Sequence, residues 1–431
     1  MRIVSLTKQS QDELLELLKG RNPASYTSQQ AAVDDIIANV REKKDEAVFL
    51  YEKQFDHCEL SRESLRVTRE EIEEAYRELD PEFVEVMKRA AENIRAYHEK
   101  QKVNSWITTK EDGTILGQKV TPIEVSGCYV PGGRAVYPSS VLMNIIPAKV
   151  AGVPKIIMCT PPNAEGKAPA GSLVAADIAG ADEIYKVGGA QAIAAMAYGT
   201  ETIPKVDKIT GPGNIYVALA KKACFGITGI DSVAGPSEIL VIADETADPR
   251  YIAADLLSQA EHDPLASAIL LTTSKAFAEQ VSAEIDRFLE TLSRAEIIRE
   301  SLDNYGYAFV GETMDDIIEA ANAIASEHME IVIKDAFEVM TKIKNAGAIF
   351  LGSYSSEPLG DYYAGPNHIL PTNGTARFFS PLGVDQFIKK TSIISYSKEA
   401  LERVHEDIEL FAANEGLTAH ANSIAVRFDG K

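Results

Sequence analysis

The sequence predicts an α/β protein with two open, mainly parallel sheets. Short apolar strands alternate with helices from about residue 123 onward, and this alternation is typical of parallel sheets covered by helices. The pattern runs through two successive halves, which we expect to join near Val233–Ser237. A chain of 431 residues exceeds the size of one hydrophobic core, so two or more domains are expected.

A helical region precedes the two halves. Apolar residues at three- and four-residue spacing predict helices over Gln29–Lys53 and Thr68–Gln101, with Pro81 starting a new helix. Lys110–Thr114 is typical of a hairpin turn. The segment beyond Gly352 is loop-rich. It is predicted to end in a strand, a helix and a strand: Ser392–Tyr396, Lys398–Glu415 and Ser423–Phe428.

Each half is predicted to alternate strands and helices along the chain. The elements of the first half are Ile123–Val130, Ser139–Val150, Lys155–Cys159, Ser172–Ile178, Glu183–Val187, Ala190–Ala197, Lys208–Ile209 and a helix after Gly213. The elements of the second half are Glu238–Ala243, Arg250–Ala260, Ser267–Thr272, Lys275–Ser293, Ala308–Val310, Met314–Ser326, Ile331–Ile333, Phe337–Asn345 and Ala348–Leu351.

Composition excludes several classes of partner. The net charge of −21 disfavours nucleic acid or an anionic membrane as the main partner. No stretch approaches the roughly 20 apolar residues of a membrane span, and the first residues lack an apolar signal-peptide core. The four cysteines lie far apart and form no C-x-x-C pair. They indicate a reducing cytoplasm rather than a disulfide framework.

Histidine is scarce, and its placement predicts chemistry. Only seven occur, and four of them, His262, His328, His368 and His420, lie in segments rich in carboxylates and turn residues. Such placement indicates metal ligation or proton transfer.

Gln259 and His262 are three residues apart near the end of a predicted helix, so their side chains share one face. They could bind a divalent metal, or form a polar helix end stopped by Pro264. Asp361 and His420 would complete a mixed nitrogen and oxygen ligand set. Spacing alone does not unite these residues.

Glu327 and His328 precede a predicted strand, and we expect them in a loop at the carboxyl edge of a sheet. His328 could act as a general base while Glu327 orients a water molecule. The alternative is a helix C-cap in which the imidazolium complements the helix dipole.

Three glycine-containing turns follow predicted strands: Val130-Pro-Gly-Gly-Arg134, Gly188-Gly-Ala-Gln191 and Gly211-Pro-Gly-Asn-Ile-Tyr216. Each alone is typical of a structural turn, but together they indicate one ligand crevice. Tyr216 stands where a dinucleotide fingerprint needs its third glycine. Cys128 and Cys159 could serve as thiol nucleophiles, although buried packing is the better interpretation because no basic residue is near in sequence.

Long contiguous blocks resemble the histidinol dehydrogenase family. They are Lys208-Ile-Thr-Gly-Pro-Gly-Asn-Ile-Tyr-Val217, Ile230-Asp-Ser-Val-Ala-Gly-Pro-Ser-Glu-Ile-Leu240, Ser258-Gln-Ala-Glu-His-Asp-Pro264, Ser326-Glu-His-Met-Glu330 and Gly365-Pro-Asn-His-Ile-Leu-Pro-Thr372. The resemblance runs from the Gln29 helix to His420. It implies zinc-dependent oxidation of L-histidinol through L-histidinal to L-histidine, the last step of histidine biosynthesis, with two NAD⁺ reduced in one active site.

The resemblance also assigns roles to residues. It implies His328 as the base and Glu327 as the residue that activates water. It implies one Zn²⁺ per subunit, bound by Gln259, His262, Asp361 and His420. These four and His328 would also contact the substrate, together with Ser237, His368 and Glu415. The implied NAD contacts are Tyr129, Gln191 and Asn214.

The implied fold has two incomplete Rossmann-like, doubly wound domains, a helical N-terminal region and a small C-terminal dimerisation segment. The expected limits are 1–25 for the N-terminal helical segment, 26–124 plus 237–380 for the first α/β domain, 125–236 for the second, NAD-side domain, and 381–431 for the C-terminal segment. The family forms homodimers, so Glu415 and His420 are expected to complete the partner's site.

Three other functions stay open from the residues alone. The first is an NAD-linked dehydrogenase on the same scaffold that oxidises another small alcohol. The second is a non-catalytic metal- or nucleotide-binding protein. The third is an aldehyde dehydrogenase that depends on Cys128 or Cys159.

Overall fold

The strands of the chain form two parallel sheets and one antiparallel sheet. The structure, a computed structural model, describes residues 1–21, 26–132 and 137–428. The described strands are β1 (Arg2–Ser5), β2 (Trp106–Thr109), β3 (Ile115–Pro122), β4 (Val125–Tyr129), β5 (Lys155–Thr160), β6 (Glu183–Lys186), β7 (Lys208–Thr210), β8 (Gly229–Ile230), β9 (Glu238–Ala243), β10 (Ser267–Thr272), β11 (Gly306–Val310), β12 (His328–Val332), β13 (Ala348–Leu351) and β14 (Ile388–Ser395).

The helices surround these sheets. They are α1 (Lys8–Lys19), α2 (Thr27–Lys43), α3 (Asp45–Tyr51), α4 (Arg62–Leu65), α5 (Arg69–Glu78), α6 (Pro81–Glu99), α7 (Pro138–Ala151), α8 (Ala170–Ala179), α9 (Gly189–Tyr198), α10 (Ile215–Cys224), α11 (Pro249–Ala260), α12 (Lys275–Phe288), α13 (Ala295–Tyr305), α14 (Met314–Ile324), α15 (Ala336–Met340), α16 (Glu357–Tyr362), α17 (Lys398–Glu402), α18 (His405–Asn414) and α19 (Thr418–Ala425). A π-helical turn, Glu52–Asp56, follows α3, and 3₁₀ turns occupy Thr375–Arg377 and Val384–Phe387.

The larger parallel sheet has six strands in the order β1-β11-β10-β9-β12-β13. Strands β9 and β10 are buried along their whole length, as expected for parallel strands covered on both faces. Apolar side chains of α11, α12 and α13 pack on one face. Side chains of α1, α14 and α15 pack on the other. This sheet is therefore doubly wound.

The smaller parallel sheet has five strands in the order β6-β5-β4-β7-β8. Helices α6, α7 and α8 contribute to the core on one face, and α2, α9 and α10 contribute to the core on the other. The prediction of an α/β fold with two mainly parallel sheets is confirmed.

Two compact units divide the chain. The first contains residues 1–101 and 123–387, and the second contains residues 102–122 and everything from 388 onward. Both parallel sheets belong to the first unit. The antiparallel sheet, in the order β14-β3-β2, belongs to the second. The domain limits expected from the sequence stay a prediction.

Most predicted elements are present, and the hairpin is confirmed. The Lys110 N–H donates to the Thr114 carbonyl oxygen at 2.9 Å, which closes the turn between β2 and β3. Pro81 begins α6, where a missing N–H costs nothing. Among the described helices, none has the length and apolar character needed to cross a membrane.

Four sequence predictions were wrong in detail. The helix over Gln29–Lys53 breaks at Lys44, whose φ is +54°. The predicted helix Lys275–Ser293 ends at Phe288 and is followed by α13, which the sequence analysis missed. The predicted helix Lys398–Glu415 is divided into α17 and α18, and the predicted strand Ser423–Phe428 is replaced by α19, which ends at Ala425.

The N-terminal segment, expected to be helical, begins with a strand. β1 pairs in parallel with β11 over four residues, from Arg2 opposite Tyr307 to Ser5 opposite Val310. Four residues are too few for a periodic pattern, and their partner lies about 300 residues away in the chain. Residues 22–25 and 133–136 lie outside the described residues, and the latter include the end of the predicted turn Val130–Arg134.

Gly211 fixes the turn after β7. Its φ is +114°, and a Cβ atom there would lie 2.0 Å from the carbonyl oxygen of Tyr129. Gly226, with a φ of +97°, has nothing within 4 Å of the same position. The two glycines therefore separate the effect of backbone conformation from the effect of close approach.

We expect Gly211→Ala to lower the free energy of unfolding by more than about 3 kcal/mol, since it adds a clash with backbone to an unfavourable φ. Gly226→Ala should lower it by roughly 1 kcal/mol, because only the φ penalty applies. Urea unfolding of the two variants beside the parent protein measures both. Equal losses would show that the close approach at Gly211 is unimportant.

Candidate functional site

Glu327 and His328 lie at the amino edge of the six-stranded sheet, so the expectation of a carboxyl-edge loop was wrong. α14 ends at Ile324, and Ala325 turns the chain with a φ of +56°. His328 is then the first residue of β12 and is in register with Ile239 of β9. Because all these strands are parallel, the pair meets the start of β9 rather than its end.

The backbone of Glu238, the first residue of β9, orients both side chains. Its N–H donates to Oε2 of Glu327 at 2.9 Å. Its carbonyl oxygen lies 3.2 Å from Nδ1 of His328. A carbonyl can only accept, so Nδ1 carries a proton, and Nε2 is the nitrogen at which the imidazole can gain or lose its second proton. Nε2 lies 3.5 Å from Oδ1 of Asp361.

Burial and neighbouring charges shift the pKa values of this pair. Burial raises the pKa of Glu327 to about 8, partly offset by the charge of His328. Burial alone would lower the pKa of His328, but Glu327 and Asp361 outweigh it and raise that pKa to about 10. Proton-transfer groups are often found where buried ionisable side chains interact in this way.

Side chains that could hold a metal ion converge beside His328. Ligand atoms of His262, Glu357 and Asp361 all lie within 4.8 Å of one another. Gln259, at the end of α11, is buried, and its carboxamide donates to Oε1 of Glu357 at 3.2 Å and accepts from the Glu238 N–H at 3.1 Å. The donor set is one imidazole and three side-chain oxygens, which suits zinc or a neighbouring first-row metal.

Asp361 is tied to two histidines. Burial would raise its pKa, but contact with His328 and the charge of His368 outweigh burial and lower the pKa to about 2. Nδ1 of His368 lies 2.9 Å from the carbonyl oxygen of Asp361, and its Nε2 lies 3.2 Å from Oγ of Ser140. His368 is therefore held next to the donor cluster with its imidazole directed by two contacts.

Glu357 is a site residue that the sequence analysis missed. It begins α16 and is 1% exposed. Burial and the charge of Asp361 raise its pKa to about 7. Glu357 and Asp361 are four residues apart on one helix, which is the spacing that brings side chains onto one face. Applying the Gln259–His262 argument to Glu357 and Asp361 would have found it.

A cavity of about 700 Å³ joins these residues to the smaller sheet within the first unit. One end holds Gln259, His262, Glu327, His328, Asp361 and His368, with Ser237 beside them. The other end holds the turn from Gly211 to Ile215, which follows β7. The cavity therefore lies against the amino edge of one sheet and the carboxyl edge of the other.

The three expected NAD contacts divide into one cavity residue and two buried residues. Asn214 lines the cavity and caps α10, accepting from the N–H groups of Tyr216 and Val217. Tyr129 is 3% exposed, and its hydroxyl accepts from the N–H of Gly189 at 3.1 Å. Gln191 is 1% exposed. All three lie at the carboxyl edge of the five-stranded sheet.

A buried ion pair holds the turn at Gly211. Nζ of Lys221 pairs with Oδ1 of Asp231 and donates to the carbonyl oxygen of Gly211 at 2.9 Å. Oδ2 of Asp231 accepts from the N–H of Gly211 at 2.8 Å. Both peptide groups of the glycine are thus fixed by charged partners, which keeps this wall of the cavity rigid.

The turn at Gly188 is fixed by Glu52 from the π-helical turn, a second residue that the sequence analysis missed. Oε1 of Glu52 accepts from the Gly188 N–H at 3.1 Å and from Nε2 of Gln191 at 2.9 Å. Burial, then the charge of Asp56, raises the pKa of Glu52 to about 8. No sequence signal indicated it, because the contact spans 139 residues.

Cys128 and Cys159 are packing residues. Both are buried at the centre of the five-stranded sheet. Burial raises the pKa of each thiol, which disfavours the thiolate needed for a nucleophile. The structure thus supports the buried-packing interpretation.

Glu415 and His420 belong to the second unit. Glu415 ends α18, and His420 lies within α19. Both are exposed. The second unit also exposes large apolar side chains, among them Ile394 at 73% and Phe411 at 71%.

A cavity at the edges of parallel sheets, lined by a buried acid, a base and metal donors, defines the protein as an α/β enzyme. A family model described as "Histidinol dehydrogenase" matches residues 19–428. The chain therefore belongs to the histidinol dehydrogenase family, a family of oxidoreductases, and the resemblance predicted from the sequence is confirmed.

Individual relatives are similar to this chain over nearly its whole length. The histidinol dehydrogenase of Halalkalibacterium halodurans is 59% identical over 401 residues, covering 93% of this chain and 94% of the relative. That of Clostridium acetobutylicum is 54% identical over 428 residues, covering 99% of each. The crystal structure of histidinol dehydrogenase from Elizabethkingia anophelis is similar with a TM-score of 0.94 at 38% identity, covering 99% of this chain and 98% of that one.

The raised pKa of Glu52 predicts a pH effect on stability. A carboxyl whose pKa is higher in the folded protein than in the unfolded chain binds more protons when folded. Stability then falls as pH rises from the unfolded value of about 4.5 to the folded value of about 8. Glu52→Gln keeps the oxygen that accepts both hydrogen bonds and removes the titration.

We expect Glu52→Gln to flatten this fall and to be more stable than the parent by roughly 1–3 kcal/mol at pH 9. Urea unfolding at intervals from pH 5 to 9 measures it. The exposed Glu46, on the neighbouring α3, provides the control Glu46→Gln, which should follow the parent. A variant curve parallel to the parent curve would contradict the assignment.

Proposed function

We propose that this protein oxidises L-histidinol through L-histidinal to L-histidine, the last step of histidine biosynthesis, and passes two hydrides in turn to two NAD⁺. The observation that carries the proposal is the buried Glu327–His328 pair beside the Gln259, His262 and Asp361 donors in one cavity. Family membership supports the same substrate. The alternative is an NAD-linked dehydrogenase of this scaffold that acts on another small alcohol.

Gln259, His262 and Asp361 would hold one Zn²⁺ per subunit, with His420 from a second copy of the chain as a further ligand. The Gln259 amide lies beside this group, 3.2 Å from Oε1 of Glu357. A bound zinc would supply positioning, since it would hold the amino and imidazole nitrogens of the substrate. Retention of the aldehyde between the two oxidations then needs no covalent bond to cysteine.

His328 would take the hydroxyl proton at Nε2 while hydride leaves the carbon for NAD⁺. The hydrogen-bond geometry supports this role, since the Glu238 carbonyl fixes a proton on Nδ1, so that Nε2 is the nitrogen that exchanges a proton. Glu327, anchored by the Glu238 N–H, would then activate water for addition to the aldehyde. Loss of a second hydride from the hydrate gives the carboxylate.

Ser237, His368 and Glu415 would contact the substrate beside the zinc ligands and His328. Glu415 offers a carboxylate that suits the substrate ammonium. Tyr129, Gln191 and Asn214 would contact NAD⁺ at the carboxyl edge of the five-stranded sheet. The Asn214 cap places the amino end of α10 at the cavity, where a helix favours phosphate. Besides these contacts, Tyr129 and Gln191 would hold the turn at Gly189 in place.

The functional unit would be a homodimer with shared active sites. The two α/β parts would be incomplete Rossmann-like domains, and the C-terminal segment would dimerise, so that Glu415 and His420 reach the partner's site. Exposed apolar side chains on the second unit support an interface there.

We place the protein in the cytoplasm, since its four cysteines are unpaired. Nucleic acid and membrane are not expected partners.

Counting NADH tests the reaction. With limiting L-histidinol and excess NAD⁺, we expect about two NADH per substrate molecule, because the aldehyde is oxidised in the same site. Chelation should abolish turnover, and added Zn²⁺ should restore it. One NADH or none would contradict the proposal, and turnover of another small alcohol in preference to histidinol would favour the alternative.

Mixing two inactive variants tests the shared site. His328→Ala and His420→Ala should each lack turnover, while His328→Ala retains zinc. After subunit exchange, a hybrid dimer contains one site in which both histidines are intact, so activity should return to about a quarter of the parent. Activity is measured as NADH formation before and after exchange. Failure to recover, despite hybrid dimers seen by native mass spectrometry, would mean that His420 does not act across the interface.

A further inference from the structure

Glu357 is held with one carboxylate oxygen fixed and the other directed at the donor cluster. Its Oε2 accepts from Oγ of Ser258 at 2.7 Å. Its own N–H donates to Oε1 of Glu330 at 2.8 Å, which fixes the start of α16. The remaining oxygen, Oε1, accepts from the Gln259 carboxamide nitrogen at 3.2 Å.

The Gln259 carboxamide also accepts from the N–H of Glu238, at 3.1 Å, through its oxygen. The amide is therefore satisfied by hydrogen bonds in the absence of a metal ion. Rotation of the amide by half a turn would present its oxygen to an ion beside Oε1 of Glu357.

The 3.2 Å between the Gln259 amide atom and Oε1 of Glu357 is compatible with two ligands of one ion once the amide is rotated. Zinc–oxygen bonds of ~2.1 Å in tetrahedral geometry place two oxygen ligands roughly 3.4 Å apart. The His262 and Asp361 ligand atoms complete a group with Glu357 within 4.8 Å. The four donors come as two pairs, three residues apart across the end of α11 and four apart on α16.

The charge of Glu357 is offset in part by His328. Among the described residues, Glu357 forms no salt bridge with lysine or arginine, and the ion pairs of Asp361 are with His328 and His368 alone. Glu357 is 1% exposed, so water does not solvate its charge. A buried carboxylate of this kind is stabilised by a metal ion or by protonation.

We propose that Glu357 is a ligand of the metal ion in the substrate-free protein, through Oε1, beside Gln259, His262 and Asp361. The inference rests on the proposed zinc site and adds a donor to it. Ser258, which holds the other carboxylate oxygen, is a positioning residue for this ligand. The first unit alone then presents four protein donors to the ion.

Zinc affinity of the metal-depleted full-length protein, without substrate, tests the inference. Affinity is measured by competition with a chromophoric chelator. We expect Glu357→Gln to bind Zn²⁺ at least about 10-fold more weakly than the parent, since even residues that only orient metal ligands commonly change affinity by 10–100-fold. Glu330→Gln is the matched control, because it removes a neighbouring buried carboxylate that lies outside the donor group. It should bind within about threefold of the parent.

The absorption spectrum of the Co²⁺-loaded protein separates a ligand from a residue that acts through Gln259. Loss of a ligand changes the metal geometry, so the visible bands of Glu357→Gln should shift while those of Glu330→Gln stay unchanged. Weaker zinc binding with an unchanged cobalt spectrum would overturn the ligand role. If Glu357→Gln does not fold, Ser258→Ala, which keeps the carboxylate but frees it, should weaken zinc binding, and parent-like affinity would overturn the inference.

Failure of the inference is distinguishable from failure of the proposed function. A parent protein that binds no zinc would overturn the metal site as a whole. A parent protein that binds zinc tightly, together with Glu357→Gln that binds it equally well, would overturn only the role of Glu357.

Discussion

The site depends on one peptide unit at the start of β9. The backbone of Glu238 donates to Glu327 and accepts from His328, so a single residue fixes the acid, the base and the tautomer of the base. Its side chain pairs with the buried Arg21, which also donates to the carbonyl oxygen of Leu265 at 2.9 Å. Because β9 is central in its sheet, the rigid core holds these contacts in place.

The two sheets contribute different ends to the same cavity, and this arrangement separates two tasks. The amino edge of the six-stranded sheet carries ionisable side chains packed so closely that burial and mutual charge dominate their pKa values. The carboxyl edge of the five-stranded sheet carries turns whose peptide groups are held by Glu52 and by the Lys221–Asp231 pair. In the proposed function, substitutions at one edge would therefore change the proton transfer, and substitutions at the other edge would change NAD⁺ binding.

Periodicity predicted the two sheets because β9, β10 and β13 are short apolar runs between turn residues, and their bounds agree with the structure. It failed where the deciding contact is distant or the local signal short. β1 has only four residues, and α19 was taken for a strand because apolar residues near its end resembled one. The spacing of Gln259 and His262 predicted that the two side chains share one face, and both line the cavity. The spacing of Glu357 and Asp361 contains the same signal, whereas Glu52 depends on a contact that spans 139 residues.

The pairing of β1 with β11 also constrains the order in which the protein can form. β1 forms one edge of the six-stranded sheet, and its neighbour β11 lies about 300 residues further along the chain. During synthesis the first strand must therefore remain without its partner while the five-stranded sheet is already complete. A strand pairing with this sequence separation is expected to form slowly.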